Sequence, residues 1–274
     1  ISPINAQNRA LIAALEEELK SHNIDLPVYF GNRNWHPFVA DTLREMRDDG
    51  VKKALAFFTS GYSCYSGCRQ YREDIIRAQE EVGEGAPDVD KIRVFYNHPG
   101  FIEPNVENLQ AALAEFPADE RDDVHIVFTA HSIPMGMAKN SAYEVQLNEA
   151  CRLVSEGVGR STWKLVYQSR SGPPHVPWLE PDIIDYMEEI YADGVRNLII
   201  MPIGFISDHM EVMYDLDTEA CDKADELGMK MVRVPTVSVH PRFVTMIREL
   251  IVERMTENPE RLALGNRGPN HDVC

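Results

Sequence analysis

The sequence lacks long hydrophobic runs and is poor in positive charge. Its longest apolar stretches, residues 54–58 and 198–204, are far shorter than the roughly 18 residues that cross a bilayer. The chain carries 27 Lys and Arg against 44 Asp and Glu, which gives a formal net charge of -17. Because nucleic acid is bound by clustered basic side chains, we expect no nucleic-acid partner. Because the apolar runs are short, we expect no transmembrane segment.

An initiator methionine, a secretion signal and a disulfide framework are also missing. The chain starts at Ile1 without a charged-then-apolar leader, so we expect that a segment upstream has been lost. Five cysteines, an odd number in 274 residues, are too few and too scattered for the framework of a small secreted protein. These features predict a cytoplasmic protein, which we expect to be a monomer.

Common nucleotide, hydrolase and zinc motifs are absent as well. The sequence contains no G-x-G-x-x-G, no Walker loop and no nucleophile elbow, so nucleotide-binding and serine-hydrolase functions have no support. Cys64 and Cys68 are separated by three residues, which is not the spacing of a standard zinc motif.

The sequence does contain a regular alternation of short apolar runs with longer helical stretches. This pattern is typical of βαβ units and a mostly parallel sheet, so the predicted fold class is α/β. Seven strands are predicted, at residues 26–30, 53–58, 92–96, 124–129, 164–168, 197–203 and 230–234. Eight helices are predicted, at residues 5–21, 37–49, 69–81, 106–116, 142–156, 181–192, 208–227 and 241–254. No proline falls inside these helices beyond the first turn.

The chain also repeats part of its own pattern. A Val-Tyr pair, a loop, a helix and an Asp-Gly-Val helix end occupy residues 28–51 and recur at residues 166–195. Asp-Gly is a common helix stop, so chance similarity is the alternative, but we favour a duplication into two similar halves. The predicted division is a first half (1–118), a second half (119–240), a terminal helix that packs back on the first half (241–258) and a tail (259–274).

Two residues follow predicted strands where ligands bind in open parallel sheets, outside the carboxyl ends of the strands. His131 comes after the strand at 124–129, where a neutral imidazole can bind a metal or accept a proton. The alternative is a hydrogen-bonded structural histidine. Glu211 lies one turn into the helix that follows the strand at 197–203. Donated by different halves of the molecule, the pair would accept protons from a substrate or hold a divalent ion.

Two more carboxylates continue from Glu211. Asp215 and Glu219 follow at i+4 and i+8, which places three carboxylates on one face of the predicted helix. Like charges at this spacing repel. The row is therefore either an ordinary solvated surface or a track for hydrated cations.

Two weaker candidates lie near the start of the chain. Arg33, in the loop 31–37, offers a cation for carboxylate groups, and the loop's alternative role is simply to enter a helix. Tyr71 ends a tract, residues 61–71, that is rich in hydroxyls and aromatic rings. Such a tract suits a planar amphiphilic ligand.

Two motifs resemble the ferrochelatases. They are Thr-Ala-His-Ser-Ile-Pro-Met at residues 129–135 and Ser-Asp-His-Met-Glu-Val-Met-Tyr-Asp at residues 207–215. The similarity extends through residues 31–38, 167–179 and 202–205, and covers nearly the whole chain from residue 1 to about residue 253. The resemblance implies a chelatase-like fold of two similar Rossmann-like halves, each a parallel sheet flanked by helices, with porphyrin bound in the cleft between them.

The same resemblance implies a lyase of heme biosynthesis that inserts Fe2+ into a porphyrin and releases two protons. It assigns His131 and Glu211 as catalytic and metal-binding residues, on opposite sides of the cleft. Asp215 and Glu219 would continue the metal site as further acidic ligands.

The resemblance further implies that Arg33 and Tyr71 contact the porphyrin. The missing upstream segment would carry the family's first strand and additional porphyrin contacts. The motifs at 31–37 and 166–178 look like those of actinobacterial members, which use coproporphyrin. We therefore expect conversion of coproporphyrin III to coproheme, with protoporphyrin IX as the alternative substrate.

Some family members also hold a two-iron two-sulfur cluster, with one internal cysteine and a cysteine-rich tail. Cys274 stands where that tail would begin, Cys68 resembles the internal ligand best, and Cys64 is second. Three cysteines do not complete a four-thiolate set. The cluster is therefore a hypothesis for this chain.

Two functions of other kinds stay open. Two α/β halves around a cleft also describe a periplasmic-type binding module for small ligands, although the lack of an export signal counts against it. A cobalt or nickel chelatase would use a similar cleft but bring more than one histidine to it. His209, beside Glu211, keeps that alternative open.

Overall fold

Within residues 2–272, the part of the chain that the computed structural model describes, six parallel strands form two sheets. The first sheet pairs β1 (Lys53–Ala56) with β2 (Asp88–Lys91). The second sheet has the order β4-β3-β5-β6. Its strands are β3 (His125–His131), β4 (Lys164–Gln168), β5 (Asn197–Met201) and β6 (Lys230–Arg233).

Helices connect the strands and cover both sheets, which confirms the predicted α/β class. They are α1 (Ile4–Ser21), α2 (Val39–Asp48), α3 (Tyr71–Val82), α4 (Pro99–Ala114), α5 (Met135–Lys139), α6 (Tyr143–Gly157), α7 (Ile183–Ala192), α8 (Met210–Tyr214), α9 (Cys221–Leu227) and α10 (Pro241–Met255). Two π-helical segments, Tyr65–Gln70 and Asp215–Ala220, lead into α3 and α9. Helix α10 packs against α1 and α4.

The hydrophobic core joins the two sheets. Its main cluster contains Phe95 and Phe101 from the first half, Leu147 and Ile199 from the second, and Phe243 from α10, all nearly inaccessible to solvent. A separate cluster lies between the second sheet and helices α7, α8 and α9. Burial of large apolar side chains is the main favourable contribution to folding, so the two halves stabilise each other.

The repeated helix ends adopt the same conformation in both halves. Gly50 after α2 has φ 81° and Gly194 after α7 has φ 97°, the left-handed region that favours glycine. The N–H of the next residue, Val51 or Val195, bonds back to the carbonyl five residues earlier, at 2.9 Å and 3.0 Å. Both helices thus end in the same glycine motif, which is also the common form of an Asp-Gly helix stop. The duplication and the boundary at 118/119 stay predictions.

The predicted strand at 26–30 is wrong, because no strand lies beside it. In the second sheet β3 stands between β4 and β5, and the repeat makes 26–30 the counterpart of β4 and β1 the counterpart of β5. At the place corresponding to β3, the first half has a cavity of about 980 Å³ within the described residues, lined by Val28, Phe30, Ala54 and Ala56 among others. A strand needs a paired neighbour, so 26–30 stays irregular.

The predicted strand at 92–96 is also wrong. Pairing with β1 occurs earlier, at Asp88–Lys91, and Ile92 N donates the last bond of the ladder to Ala56 O at 3.0 Å. Residues 92–96, which are apolar or aromatic except for Arg93, are almost completely buried. Their hydrophobicity reflects burial in the core, which the pattern could not distinguish from strand pairing.

Helix α4 begins seven residues before its predicted start at 106. His98 caps it by accepting a hydrogen bond from Gly100 N at Nδ1, at 3.0 Å, and Pro99 occupies the first turn. Pro104 lies inside the helix, in the part of it that precedes the predicted range. Two prolines in seven residues concealed the helical period of this segment.

Candidate active site

His131 is the last residue of β3, and three hydrogen bonds fix the backbone around it. It pairs with Gln168 at the end of β4, and Ser132 N donates to Gln168 O at 2.8 Å. Ser132 Oγ donates to Leu179 O at 2.8 Å, and Tyr143 OH donates to His131 O at 3.0 Å. The carboxyl end of the strand is therefore a rigid support for the imidazole.

The ring of His131 is oriented by its own backbone. Nδ1 hydrogen-bonds to the carbonyl oxygen of Ser132. Because a carbonyl only accepts, Nδ1 carries the proton, and the neutral ring presents its lone pair at Nε2. This nitrogen lies 4.0 Å from Glu211 Oε1, and the side chain is 33% exposed. His131 is thus prepared to bind a metal or to accept a proton.

Glu211 reaches His131 because the loop after β5 crosses directly over β3. Gly204 N donates to Thr129 O at 3.0 Å. A Cβ at Gly204 would lie 2.6 Å from Ala130 Cβ and 2.7 Å from Ala130 Cα, closer than side chains can approach. The loop then enters α8, where the side chain of Glu211 is 52% exposed. A glycine at position 204 allows the two strand ends to share one site.

His209 is a third member of the site. Its Nε2 lies 3.7 Å from Glu211 Oε2, so the Glu211 carboxylate is placed between two imidazoles. Phe205 packs edge-on against the ring, with centroids 5.2 Å apart. Burial lowers the pKa of His209, and the charge of Glu211 opposes that shift. The sequence analysis considered His209 only as evidence for a cobalt or nickel chelatase. Its position two residues before Glu211 was the signal that could have placed it in the site.

Two expectations about the pair need correction. His131 and Glu211 come from neighbouring strands of one sheet, not from different halves, because β3 pairs directly with β5. They are also not on opposite sides of a cleft. A flat macrocycle between them would need a gap of roughly 7 Å, two van der Waals contacts, whereas the groups approach within 4.0 Å. Both groups therefore address the same side of any bound ring.

The chain is helical from Met210 to Leu227, which confirms the predicted helix within two residues, but one turn of it is π-helical and alters the row of carboxylates. A π-helical segment begins at Asp215 and widens the turn. Asp215 Oδ2 accepts hydrogen bonds from Gln168 Nε2, at 3.2 Å, and from Ser169 Oγ. Glu219 is exposed to solvent. Among residues 2–272, no three His, Cys, Asp or Glu side chains are arranged as a ready metal site.

The structure brings Arg33 and Tyr71 together, away from His131. The guanidinium carbon of Arg33 lies 5.0 Å from the centroid of the Tyr71 ring, and Arg33 forms an ion pair with Asp74. Tyr71 also stacks on Phe58, with centroids 4.5 Å apart. All four residues border the cavity of the first half. Their role as porphyrin contacts stays a prediction.

Cys64 and Cys68 lie at the first π-helical segment. Cys64 Sγ accepts a hydrogen bond from Gly67 N at 3.2 Å, and burial raises the pKa of the Cys64 thiol. Lys91 Nζ lies 3.5 Å from Cys68 Sγ. Cys274 is outside the described residues.

The tail approaches this part of the molecule. Gln146 Nε2 donates to Asn270 Oδ1 at 3.5 Å and to Ser63 Oγ at 3.0 Å. Ser63 directly precedes Cys64, so the end of the described chain lies near the loop that carries the two cysteines.

Among the described residues, no helix could span a membrane. Across residues 2–272, none of the helices combines the length and the apolar character that a bilayer requires.

Comparison with known proteins identifies the family of this chain. Residues 1–255 match the family described as Ferrochelatase. A ferrochelatase of Rhodopirellula baltica is 56% identical over 275 residues, which cover 100% of this chain and 78% of that protein. A coproporphyrin III ferrochelatase of Streptomyces coelicolor is 49% identical over 296 residues, which cover 100% of this chain and 79% of that protein.

A solved structure of SirB from Bacillus subtilis with Fe3+ has a TM-score of 0.58 at 15% sequence identity, and the match covers 92% of both chains. At that identity it shows likeness of fold alone. The sequence matches exclude the binding-module alternative. The chain belongs to the ferrochelatase family, the lyases that insert iron into a porphyrin.

Proposed function

We propose that this chain inserts Fe2+ into coproporphyrin III, with His131 and Glu211 as the metallation pair. The observation that carries the proposal is the 4.0 Å distance between His131 Nε2 and Glu211 Oε1 at the ends of adjacent strands. Imidazole nitrogen and carboxylate oxygen both bind divalent first-row metals and both accept protons. Identity of 49% to the Streptomyces coelicolor protein supports coproporphyrin III, and protoporphyrin IX is the alternative.

The reaction exchanges one metal ion for two protons. Fe2+ enters, the two pyrrole N–H bonds break, and the four ring nitrogens bind the metal, so charge is conserved. The lone pair at His131 Nε2 holds the incoming iron or takes a pyrrole proton, because Nδ1 is already bonded to Ser132. Glu211 performs the other task beside it. Since both groups lie on one side, the macrocycle presents a single face to them.

Asp215 and Glu219 form the proposed route for hydrated iron or departing protons. Carboxylate oxygens bind hydrated divalent cations without stripping all their water. Asp215 is half-buried next to Glu211's helix and Glu219 is exposed, so the two carboxylates connect the pair with solvent.

Arg33 and Tyr71 are the proposed porphyrin contacts. The cation lies over the aromatic ring at 5.0 Å, an arrangement that suits a planar ligand with carboxylate side chains. Binding would require Arg33 to share its charge between Asp74 and the porphyrin.

A two-iron two-sulfur cluster is a further hypothesis, with Cys68 or Cys64 as internal ligand and Cys274 in the tail. The nearness of Asn270 to the loop that carries Cys64 supports a meeting of loop and tail. The residues of this chain do not complete the set, because four thiolates are needed. We derive no step of the reaction through a cluster. Visible absorption of the purified protein tests it, since a thiolate-bound cluster is coloured.

We also propose that the protein works as a monomer in the cytoplasm. The net charge of -17 favours a protein that stays apart from other copies. Five cysteines without a secretory framework fit a reducing compartment. Sedimentation of the purified protein tests the first point and cell fractionation the second.

Anaerobic metal insertion by the full-length protein tests the function. We expect His131→Ala and Glu211→Gln each to lower kcat for coproporphyrin III by about 10²-fold or more. The matched controls are His125→Ala, at the other end of β3, and Glu226→Gln, on α9. Variants of the pair that make product as fast as these controls would contradict the assignment, and a higher kcat/KM with protoporphyrin IX would contradict the substrate.

One observation favours a second metal. Two imidazoles, those of His131 and His209, lie within 4.0 Å of the Glu211 carboxylate, and nitrogen ligands suit Co2+ and Ni2+. The same assay with Co2+ and Ni2+ tests this alternative, because a cobalt or nickel chelatase would insert one of these ions faster than Fe2+.

A further inference from the structure

We infer that Arg233 is a positioning residue for metal insertion, because it anchors both ends of the segment that carries His209, Glu211 and Asp215. The inference rests on the proposed function and concerns the same site. Arg233 is the last residue of β6, next to β5 in the sheet. Its side chain is 20% exposed, and its contacts go to two carboxylates on that segment.

The guanidinium group binds the two carboxylates in different ways. Nε and Nη2 donate to the two oxygens of Asp217 at 2.6 Å and 2.8 Å, which is the paired geometry that arginine alone offers. Nη1 donates to Asp208 Oδ1 at 2.7 Å. One side chain therefore ties Asp208 and Asp217 to the edge strand of the sheet.

Asp208 and Asp217 flank the segment 209–215, which carries the site residues, along the chain. Asp208 immediately precedes His209, the cap of α8, and Asp217 lies in the π-helical segment two residues after Asp215. Asp208 is also held by Thr236 N at Oδ1, at 3.4 Å, and by Gln7 Nε2 at its carbonyl oxygen, at 3.0 Å.

Arg233 shares no hydrogen bond or ion pair with His131 or Glu211 among the described residues. It therefore acts through the segment it holds. Glu211 is half-exposed and lies in the first turn of its helix, between Asp208 and Asp217, so the position of its carboxylate depends on how that segment is held. A displacement of about 1 Å at a reacting group can cost about 10²-fold in rate.

The test compares Arg233→Gln with a matched arginine elsewhere. Arg242, at the start of α10, also binds two carboxylates, Glu103 and Glu249, and is similarly buried. We expect Arg233→Gln to lower kcat/KM for Fe2+ by roughly 10- to 100-fold, with KM for the porphyrin within about twofold of wild type. Arg242→Gln should leave both constants near wild type.

Two further variants separate positioning from general stability. Arg233→Lys should recover only part of the loss, because an ammonium group cannot bind both oxygens of Asp217 and also Asp208. Asp217→Asn keeps the pair with Asp208 and should give an intermediate loss, which preserves the test if Arg233→Gln fails to fold. Adding Arg233→Gln to Glu211→Gln should cause a smaller loss than Arg233→Gln causes alone, since part of its effect passes through Glu211.

Equal losses in Arg233→Gln and Arg242→Gln, or a full additional loss in the Glu211→Gln background, would overturn the inference. So would a rise in KM for the porphyrin at unchanged KM for Fe2+. If Glu211→Gln is inactive as expected while Arg233→Gln matches wild type, only the positioning role fails. If the wild-type protein inserts no iron into either porphyrin, the proposed function itself fails.

Discussion

Single atoms decide whether the two strand ends can share a site. Gly204 is the clearest case, because its backbone lies against Ala130 with no room for a Cβ. His131 is held in a similar way by backbone partners, with Ser132 O fixing which ring nitrogen faces Glu211. The geometry of the pair thus depends on residues outside the pair itself.

Replacement of Gly204 by alanine tests this dependence. The added methyl must displace the loop from β3, so we expect a loss of about 1–3 kcal/mol in the free energy of unfolding. The accompanying shift of Glu211 should lower kcat by about tenfold or more. Denaturant unfolding and the insertion assay measure the two effects.

Gly136→Ala is the control, because a Cβ there meets no atom within 4 Å and the residue lies in helix α5, close to the same site. It should be neutral or slightly stabilising. If the Gly204→Ala protein is as stable and as active as this control, the loop accommodates the added methyl group and the prediction is wrong.

The candidate residues were partly predictable from sequence. His131 and Glu211 were found because ligands gather at the carboxyl ends of parallel strands, and that rule needs only the strand positions. Their side-by-side arrangement was not predictable, since it depends on the order β4-β3-β5-β6. Strand order is set by contacts between distant parts of the chain, which a local pattern does not contain.

At the scale of elements, a π-helical segment occurs in each of two strand-to-strand connections. One lies between β1 and β2 and leads into α3, and the other lies between β5 and β6, where it follows α8 and leads into α9. Such segments interrupt the period of 3.6 residues and are frequent at functional sites. A periodic pattern could therefore predict helix over 208–227 but not the side to which each carboxylate points.

That difference predicts unequal roles for Asp215 and Glu219. Asp215 is held toward the end of β4 by Gln168 and Ser169, whereas Glu219 faces solvent. We expect Asp215→Asn to raise KM for Fe2+ by about fivefold or more and Glu219→Gln by less than about twofold, because exposed charges are screened. Initial rates at varied Fe2+ measure both. Equal effects would mean that the carboxylates act as one uniform row.

Most helices and five of the seven predicted strands were placed within a few residues, because long periodic stretches carry a strong signal. The failures share a physical cause. Residues 26–30 have the character of a strand but no neighbour to pair with, and residues 92–96 are apolar because they are buried in the shared core. In both places tertiary contacts, not local preference, decide the outcome.

For the whole molecule, the core between the halves makes folding sensitive to acid. His98 is 1% exposed and caps α4, which packs against α10 and α6. Burial, followed by the nearby charges of Arg93 and Arg242, lowers the pKa of His98 from 6.5 to about 3. Above about pH 6.5 the ring is neutral in both the folded and the unfolded chain. Below it the unfolded chain binds a proton that the folded chain does not.

We therefore expect the free energy of unfolding to fall as the pH drops from about 6.5 towards 3, with His98 contributing at most roughly 5 kcal/mol of the loss. His98→Asn retains a capping oxygen but cannot titrate, so its stability should fall less over the same range. Denaturant unfolding at several pH values measures the difference.

His240→Asn provides the comparison, because His240 caps α10 in the same way but is more exposed, at 25%. Its pH profile should follow that of the wild type. If His98→Asn and wild type lose stability in parallel, the buried imidazole does not govern acid unfolding.

The placement of both proposed metallation residues on one sheet also separates them from the proposed porphyrin contacts. The reactive groups are carried by adjacent strands β3 and β5 and by the loops that follow them. Arg33 and Tyr71, the proposed porphyrin contacts, border the cavity beside β1 of the other sheet. The proposed porphyrin contacts therefore lie on other elements than the proposed metallation pair. Substitutions at Arg33 or Tyr71 can change the lining of their cavity without disturbing the hydrogen bonds that hold the ends of β3 and β5.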